Sequence, residues 1–175
     1  MEVVASCISN ALFYSNHLRE STAISVVMEG GPEPPKTLCI DSRDLGSLDG
    51  FDERSIAGMI QHALGVGKGL DLREKREVDS GITVAKTAFE HLLQERPTDS
   101  LFYLSRKGRD IREIDLPGDI SFVFSDYLSM PKKSGKYLDR LGATPISLGP
   151  RMLFASQCIV LVHNELDRRE ESTRR

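Results

Sequence analysis

The chain has 175 residues, of which 39% are hydrophobic and 28% charged, with a formal net charge of -3. Such a length supports one domain with a real core. The composition excludes a membrane span, which needs roughly 20 consecutive apolar residues, and the acidic balance announces no nucleic-acid partner, so any such binding needs a local basic patch.

Three scattered cysteines, Cys7, Cys39 and Cys158, do not make a disulfide framework or a metal site, and they fit a reducing cytoplasm. The start lacks the basic region of a signal peptide. Positions Val4, Cys7, Ile8, Ala11, Leu12 and Ser15 recur at helical spacing and predict a helix over residues 3–18. It opens with no cap and no preceding strand, so a missing or shortened N-terminal strand is expected. Residues 23–28 predict a buried strand, residues 29–35 a Gly/Pro-rich loop and residues 37–40 a short strand. Residues 52–64 form an amphipathic helix with a stripe of Ile56, Met59, Ile60, Ala63 and Leu64. Residues 66–80 read as an exposed excursion, 82–84 as a short extended piece and 87–94 as a helix that stops before Pro97.

From Leu101 onward three apolar strands each run into a turn of small residues. They cover residues 101–108, 120–126 and 145–150, with a short basic helix over 131–141 between the second and third. An apolar helix over residues 152–166 follows, with Pro150 near its first turn, and residues 168–175 form a polar tail expected to fray. Alternating strands and helices predict an α/β fold with a mainly parallel sheet. Three loops then share one sheet edge, where open α/β sheets bind ligands. They hold Leu104, Ser105, Arg106, Lys107 and Gly108; then Phe124, Ser125, Asp126 and Tyr127; then Ser147, Leu148, Gly149 and Pro150. Ordinary βα turns are the alternative reading of the same pattern.

The final stretch, Ser147-Leu-Gly-Pro-Arg-Met-Leu-Phe-Ala-Ser-Gln-Cys-Ile-Val-Leu-Val-His-Asn-Glu-Leu166, resembles the SPOUT class of RNA methyltransferases. The likeness is strongest to the pseudouridine N1-methyltransferase family of archaeal tRNA and its bacterial branch. Thr37-Leu-Cys-Ile-Asp-Ser-Arg-Asp-Leu-Gly46, Ser80-Gly-Ile-Thr-Val84 and Met130-Pro-Lys-Lys-Ser134 carry the likeness over nearly the whole chain. It implies a single domain over 1–168, a polar tail over 169–175, a C-terminal deep trefoil knot and a homodimer. It also implies S-adenosylmethionine held bent by the three loops. The cofactor residues implied are Leu104, Ser105, Gly108, Ser125, Leu148, Gly149, Leu153 and Cys158. The archaeal pattern has an arginine at Ser6, an acidic loop at residues 105–108 and a histidine at Tyr127, so this chain departs from it there.

Methylating N1 of pseudouridine requires loss of a weakly acidic imino proton. Asp126 is the candidate to accept that proton or orient the base, and capping its own turn is the alternative. Cys158 has nothing basic beside it in sequence and reads as a buried thiol packed against the cofactor. The histidines read as edge or surface residues, without metal-ligand spacing. Arg106, Lys107, Arg109, Arg112, Lys132, Lys133 and Lys136 form either a basic rim that contacts RNA phosphates or ordinary solvated charge. The function expected is S-adenosylmethionine-dependent methylation of a tRNA pseudouridine at N1 in the cytoplasm, with no metal and no membrane. A dimeric cofactor or RNA binder without transfer, and a different methylated base, are the alternatives.

Overall fold

Helix α1 (Glu2–Leu12) buries Ile8, Ala11 and Leu12 of the predicted stripe together with Ala5, while Val4 and Cys7 are half-buried. The computed structural model describes residues 2–15, 17–46, 50, 52–126 and 130–173. By its contacts the chain divides into two compact units, Met1–Leu92 and Leu93–Arg175.

In the N-terminal unit, strands β3 (Ala23–Met28), β4 (Lys36–Asp41), β5 (Lys75–Asp79) and β6 (Ile82–Ala85) form a sheet of order β3-β4-β6-β5. Helix α2 (Glu53–Val66) starts at Asp52, whose carboxylate accepts the Arg54 and Ser55 amides at 2.9 and 3.1 Å. Leu38 and Ile40 alternate onto one sheet face. There they meet Ala5, Ile8 and Leu12 of α1 and Ile56, Ile60 and Ala63 of α2 in one apolar core. Past the end of α2 the chain's carbonyls are met by cations. Lys36, only 5% exposed, donates to the Gly67 carbonyl and pairs with Glu33 at 3.1 Å. Arg76 donates to the Val66 and Lys68 carbonyls at 3.1 and 3.2 Å.

Three expectations change in this unit. The helix predicted over 3–18 ends at Leu12, and the chain folds into a hairpin of β1 (Phe13–Tyr14) and β2 (His17–Leu18). The β-prone aromatic pair and Ser15, at φ 54°, favour that reversal over another helical turn. The excursion predicted over 66–80 contains β5, whose Lys-Arg-Glu-Val-Asp sequence hides a strand because it lies at a sheet edge, where charge is ordinary. Every pairing in this sheet is antiparallel, so the mainly parallel sheet expected from the sequence is confined to the other unit. A two-residue link, Ser80 and Gly81, joins β5 to β6 and permits no parallel crossover.

In the C-terminal unit, β7 (Leu101–Asp110) lies between β8 (Ser121–Val123) and β9 (Thr144–Ser147), parallel to both. Helix α3 (Phe89–Gln94), shorter than the predicted 87–94, precedes it. A 3-10 turn (Ile111–Glu113) follows β7, α4 (Lys132–Leu141) joins β8 to β9, and α5 (Ala155–Thr173) ends the unit. Phe102, Ile111, Ile114, Ile146 and Val162 form the core, with Leu104, Phe122, Leu148 and Leu166 packed against it. Helix α5 begins at Ala155, not at residue 152, and Pro150 stands outside its first turn. Residues 168–173, expected to fray, continue α5, where Arg169 binds the Ile111 and Ile114 carbonyls at 2.7 and 2.9 Å and pairs with Glu165; residues 174–175 lie outside the described residues. Among the described residues no helix is long and apolar enough to cross a membrane.

The first of the three predicted turns also takes another form. Strand β7 does not end at Gly108. Leu104 pairs with Ile146, residues 105–108 leave the ladder, and Arg109 pairs with Ile146 again. Gly108 permits this detour, since a Cβ there would lie 2.5 Å from the Ile146 N, Cα and C atoms. Gly108→Ala is expected to destabilise the chain by about 1–3 kcal/mol in chemical denaturation. Gly118→Ala, with nothing within 4 Å of its added Cβ, is expected to stay within about 0.5 kcal/mol.

Candidate functional site

Because β8, β7 and β9 run parallel, their C-terminal ends lie at one edge of the sheet. The ends of β8 and β9 flank β7, which sets them about 10 Å apart at two strand spacings. This topology brings Ser125 and Asp126 after β8, Ser105 and Gly108 in the β7 detour, and Leu148 and Gly149 after β9 to the same edge. Leu104 and Leu148 pack against one apolar cluster, so the edge has an aliphatic floor. Gly149 sits at φ +117° with nothing within 4 Å of where a Cβ would be, a backbone state that a side chain would strain. Its amide donates to the Ser147 hydroxyl at 3.2 Å. In the detour the Ser105 hydroxyl accepts the Lys107 amide at 3.3 Å.

Leu153 and Cys158 belong together at the start of α5. The Cys158 thiol lies 4.0 Å from the Leu153 carbonyl, and burial pushes its pKa up. A thiol kept protonated by burial is a weak nucleophile. Asp126 is exposed at the end of the β8 turn, while Tyr127 lies outside the described residues. Small residues, aliphatic side chains and backbone amides dominate this edge. That set fits a nucleoside joined to an amino acid, which needs hydrogen-bonding backbone and an apolar bed more than compensating charge. Among the described residues no group of three or more His, Cys, Asp and Glu is placed to hold a metal ion.

The basic rim divides into two sets. Arg112 pairs with Asp110 at 2.6 Å, and its hydrogen bonds hold the Asp110 carboxyl down at about 2. Arg109 donates to the Glu113 carbonyl at 2.7 Å. These two arginines therefore brace the chain around the 3-10 turn. Arg106 and Lys107 are exposed in the detour, and Lys132, Lys133 and Lys136 are exposed on α4.

Sequence reasoning missed three side chains in this region, Tyr103, Asp139 and Arg140. The Tyr103 hydroxyl donates to the Asp139 carboxylate at 2.6 Å, fastening α4 to β7 one residue before Leu104. Nothing local signals a pair 36 residues apart. Arg140 was missed on α4, although it lies one helical turn beyond Lys136 and its guanidinium stands 5.6 Å from the Tyr137 ring centroid.

Comparison with known proteins adds four findings. The family described as "Putative SAM-dependent RNA methyltransferase" matches residues 1–171. A protein of Shewanella frigidimarina named "Putative pseudouridine methyltransferase" is 41% identical over 169 residues, covering 96% of this chain and 85% of that protein. A protein of the same name from Vibrio campbellii is 41% identical over 170 residues, covering 97% and 85%. Among solved structures, the fold is similar to Archaeoglobus fulgidus Nep1 bound to S-adenosylhomocysteine. The TM-score is 0.60 at 13% identity, over 95% of this chain and 69% of that one, a likeness that carries the fold alone.

The Tyr103 tether has a measurable signature. Burial, then the hydrogen bond and charge of Asp139, push the Tyr103 phenol from its ordinary 10.0 up to about 12. The folded state favours the protonated phenol, so the stabilisation is complete below pH 10.0 and is lost as pH rises to about 12. Alkaline absorbance titration is expected to show one late tyrosine, absent in Tyr103→Phe. The stability advantage of the wild type over that variant is expected to vanish across the same interval.

Proposed function

Because the chain belongs to the family of S-adenosylmethionine-dependent RNA methyltransferases, we propose that it methylates N1 of a pseudouridine in tRNA, as a cytoplasmic homodimer. The reading rests on one structural observation above the others. The parallel sheet gathers residues 104–108, 125–126 and 148–149 at a single edge, with an aliphatic floor and a glycine-dependent detour in its middle strand. The names of the Shewanella and Vibrio relatives support pseudouridine as the base.

S-adenosylmethionine supplies a methyl group made electrophilic by a sulfonium. In this reading Leu104 and Leu148 form the apolar bed of the cofactor, and the backbone at Ser105, Gly108, Ser125 and Gly149 offers it hydrogen bonds. Leu153 and Cys158 close its side with apolar surface and keep water from the transfer path. Asp126 receives or orients the N1 imino proton of the base, and most of the acceleration comes from positioning. The trefoil knot implied by the resemblance belongs to this reading as the means by which the detour and the β9 turn face one ligand.

The dimer is supported by α5. Its own unit buries Cys158, Ile159 and Val162, yet Val160 and Leu161 are 46% and 40% exposed, and Phe154 just before the helix is 70% exposed. Large exposed apolar groups at and just before a helix call for a covering surface, and a second copy supplies it in this reading.

Calorimetric titration with S-adenosylmethionine is expected to show binding, and its absence would overturn the enzyme reading. Mass spectrometry of a pseudouridine-containing tRNA transcript is expected to show one added methyl at that base. Asp126→Asn is expected to lower the transfer rate by about 10²–10⁴-fold while cofactor affinity holds. Cofactor binding with no transfer to any RNA would make the chain a binder. Leu161→Asp is expected to yield monomers in sedimentation velocity, against dimers for the wild type.

A further inference from the structure

We propose that the exposed cationic face of α4 is the surface on which the phosphate backbone of the RNA substrate runs toward the reaction edge. This rests on the RNA methyltransferase reading and adds to it a defined path for the polyanion. Lys132, Lys133, Lys136 and Arg140 are all exposed. At 3.6 residues per turn they fall within an arc of about 100°. Leu138, fully buried, lies on the opposite side. The first turn of α4 carries no acidic residue, so two lysines add to the positive end of the helix dipole. Like charges on one helix face repel, and a polyanion relieves that repulsion.

The face is also shaped and held in place. A recess of about 380 Å³ is lined by Lys133, Lys136, Asp139 and Arg140. Asp139, the carboxylate in this lining, accepts the Tyr103 hydroxyl at 2.6 Å, which ties it to the sheet. Arg140 stands against the Tyr137 ring. The cations therefore sit on a helix locked to β7, and little ordering remains to be done on binding.

Its placement favours RNA over an acidic protein. Helix α4 leaves the sheet at the edge that carries Asp126 and returns to the start of β9. Lys132 and Lys133 thus lie nearest the reaction edge, and Arg140 lies about 12 Å farther along the helix axis. A strand whose target base reaches the edge can lay its flanking phosphates along successive turns, one cation per turn. The chain as a whole is acidic, at -3, so attraction for RNA must come from such a local face.

The test is the triple variant Lys133→Gln, Lys136→Gln, Arg140→Gln, compared with the wild type in filter binding of a tRNA-sized pseudouridine-containing transcript. The dissociation constant is expected to rise roughly 10–100-fold, and the slope of log affinity against log salt to fall by about 2. Calorimetric affinity for S-adenosylmethionine and the thermal midpoint are expected to stay unchanged, which separates a lost contact from a lost fold. Unchanged RNA affinity and salt slope in the variant would overturn the proposal. So would an equal loss for a pseudouridine trinucleotide, too short to span α4, or displacement by polyglutamate as effective as by RNA. Wild-type protein that binds the transcript through these residues without methylating it would sink the methyltransferase reading and leave the docking face standing.

Discussion

At Gly108 the backbone of β7 passes so near Ile146 that a methyl group there would stand 2.5 Å from three main-chain atoms. That approach lets β7 pair with β9 before the detour and again after it, so residues 105–108 are anchored at both ends. A loop held this way loses most of its freedom during folding, and little is left to lose when a ligand arrives. The same approach fixes Leu104 on one side of the detour and Asp110 on the other. The Asp110–Arg112 pair and the Ile111–Glu113 turn are consequently part of the frame around the site. A residue larger than glycine at 108 would press on the Ile146 main chain and strain the ladder on both sides of the detour.

Cations on backbone carbonyls recur in both units. In the N-terminal unit Lys36 and Arg76 meet the Val66, Gly67 and Lys68 carbonyls where α2 has ended. In the C-terminal unit Arg169 meets the Ile111 and Ile114 carbonyls at the 3-10 turn. Carbonyls at such chain reversals lack a helical partner, and leaving them unpaired under a side chain costs as much as a lost hydrogen bond. Long cationic side chains can bury their stems while reaching these groups. In this chain part of the positive charge therefore serves the fold, and α4 keeps an unusually concentrated share at the surface.

The core helices and strands were readable because their apolar residues recur with the period of the element. Ile56, Ile60 and Ala63 line one face of α2, and Leu101, Phe102 and Tyr103 fill the middle of the parallel sheet. The short hairpin at Phe13 to Leu18 was not readable, because apolar positions continued the helical spacing while the reversal depended on the backbone at Ser15. Strand β5 escaped because an edge strand needs few apolar residues. At the site, the shared edge followed from strand order, and the resemblance named Leu104, Gly149 and Cys158. The β7 detour did not follow, because a glycine after a strand signals a turn equally well as a close approach. Tyr103 and Asp139 were invisible for a simpler reason: they meet only once β7 and α4 are packed together.

The pairing of β7 also bears on how the protein is made. Strand β7 is the middle of its sheet, yet β9, which covers one of its edges, follows only after β8 and α4. As the chain leaves the ribosome, β7 and then β8 emerge while residues 144–147 are still to come. Through that interval Leu101, Phe102, Tyr103 and Leu104 present an apolar strand with an open ladder, a state that invites pairing with another chain. The arrangement that gathers the site at one sheet edge thus leaves β7 unpaired on one side until β9 has emerged.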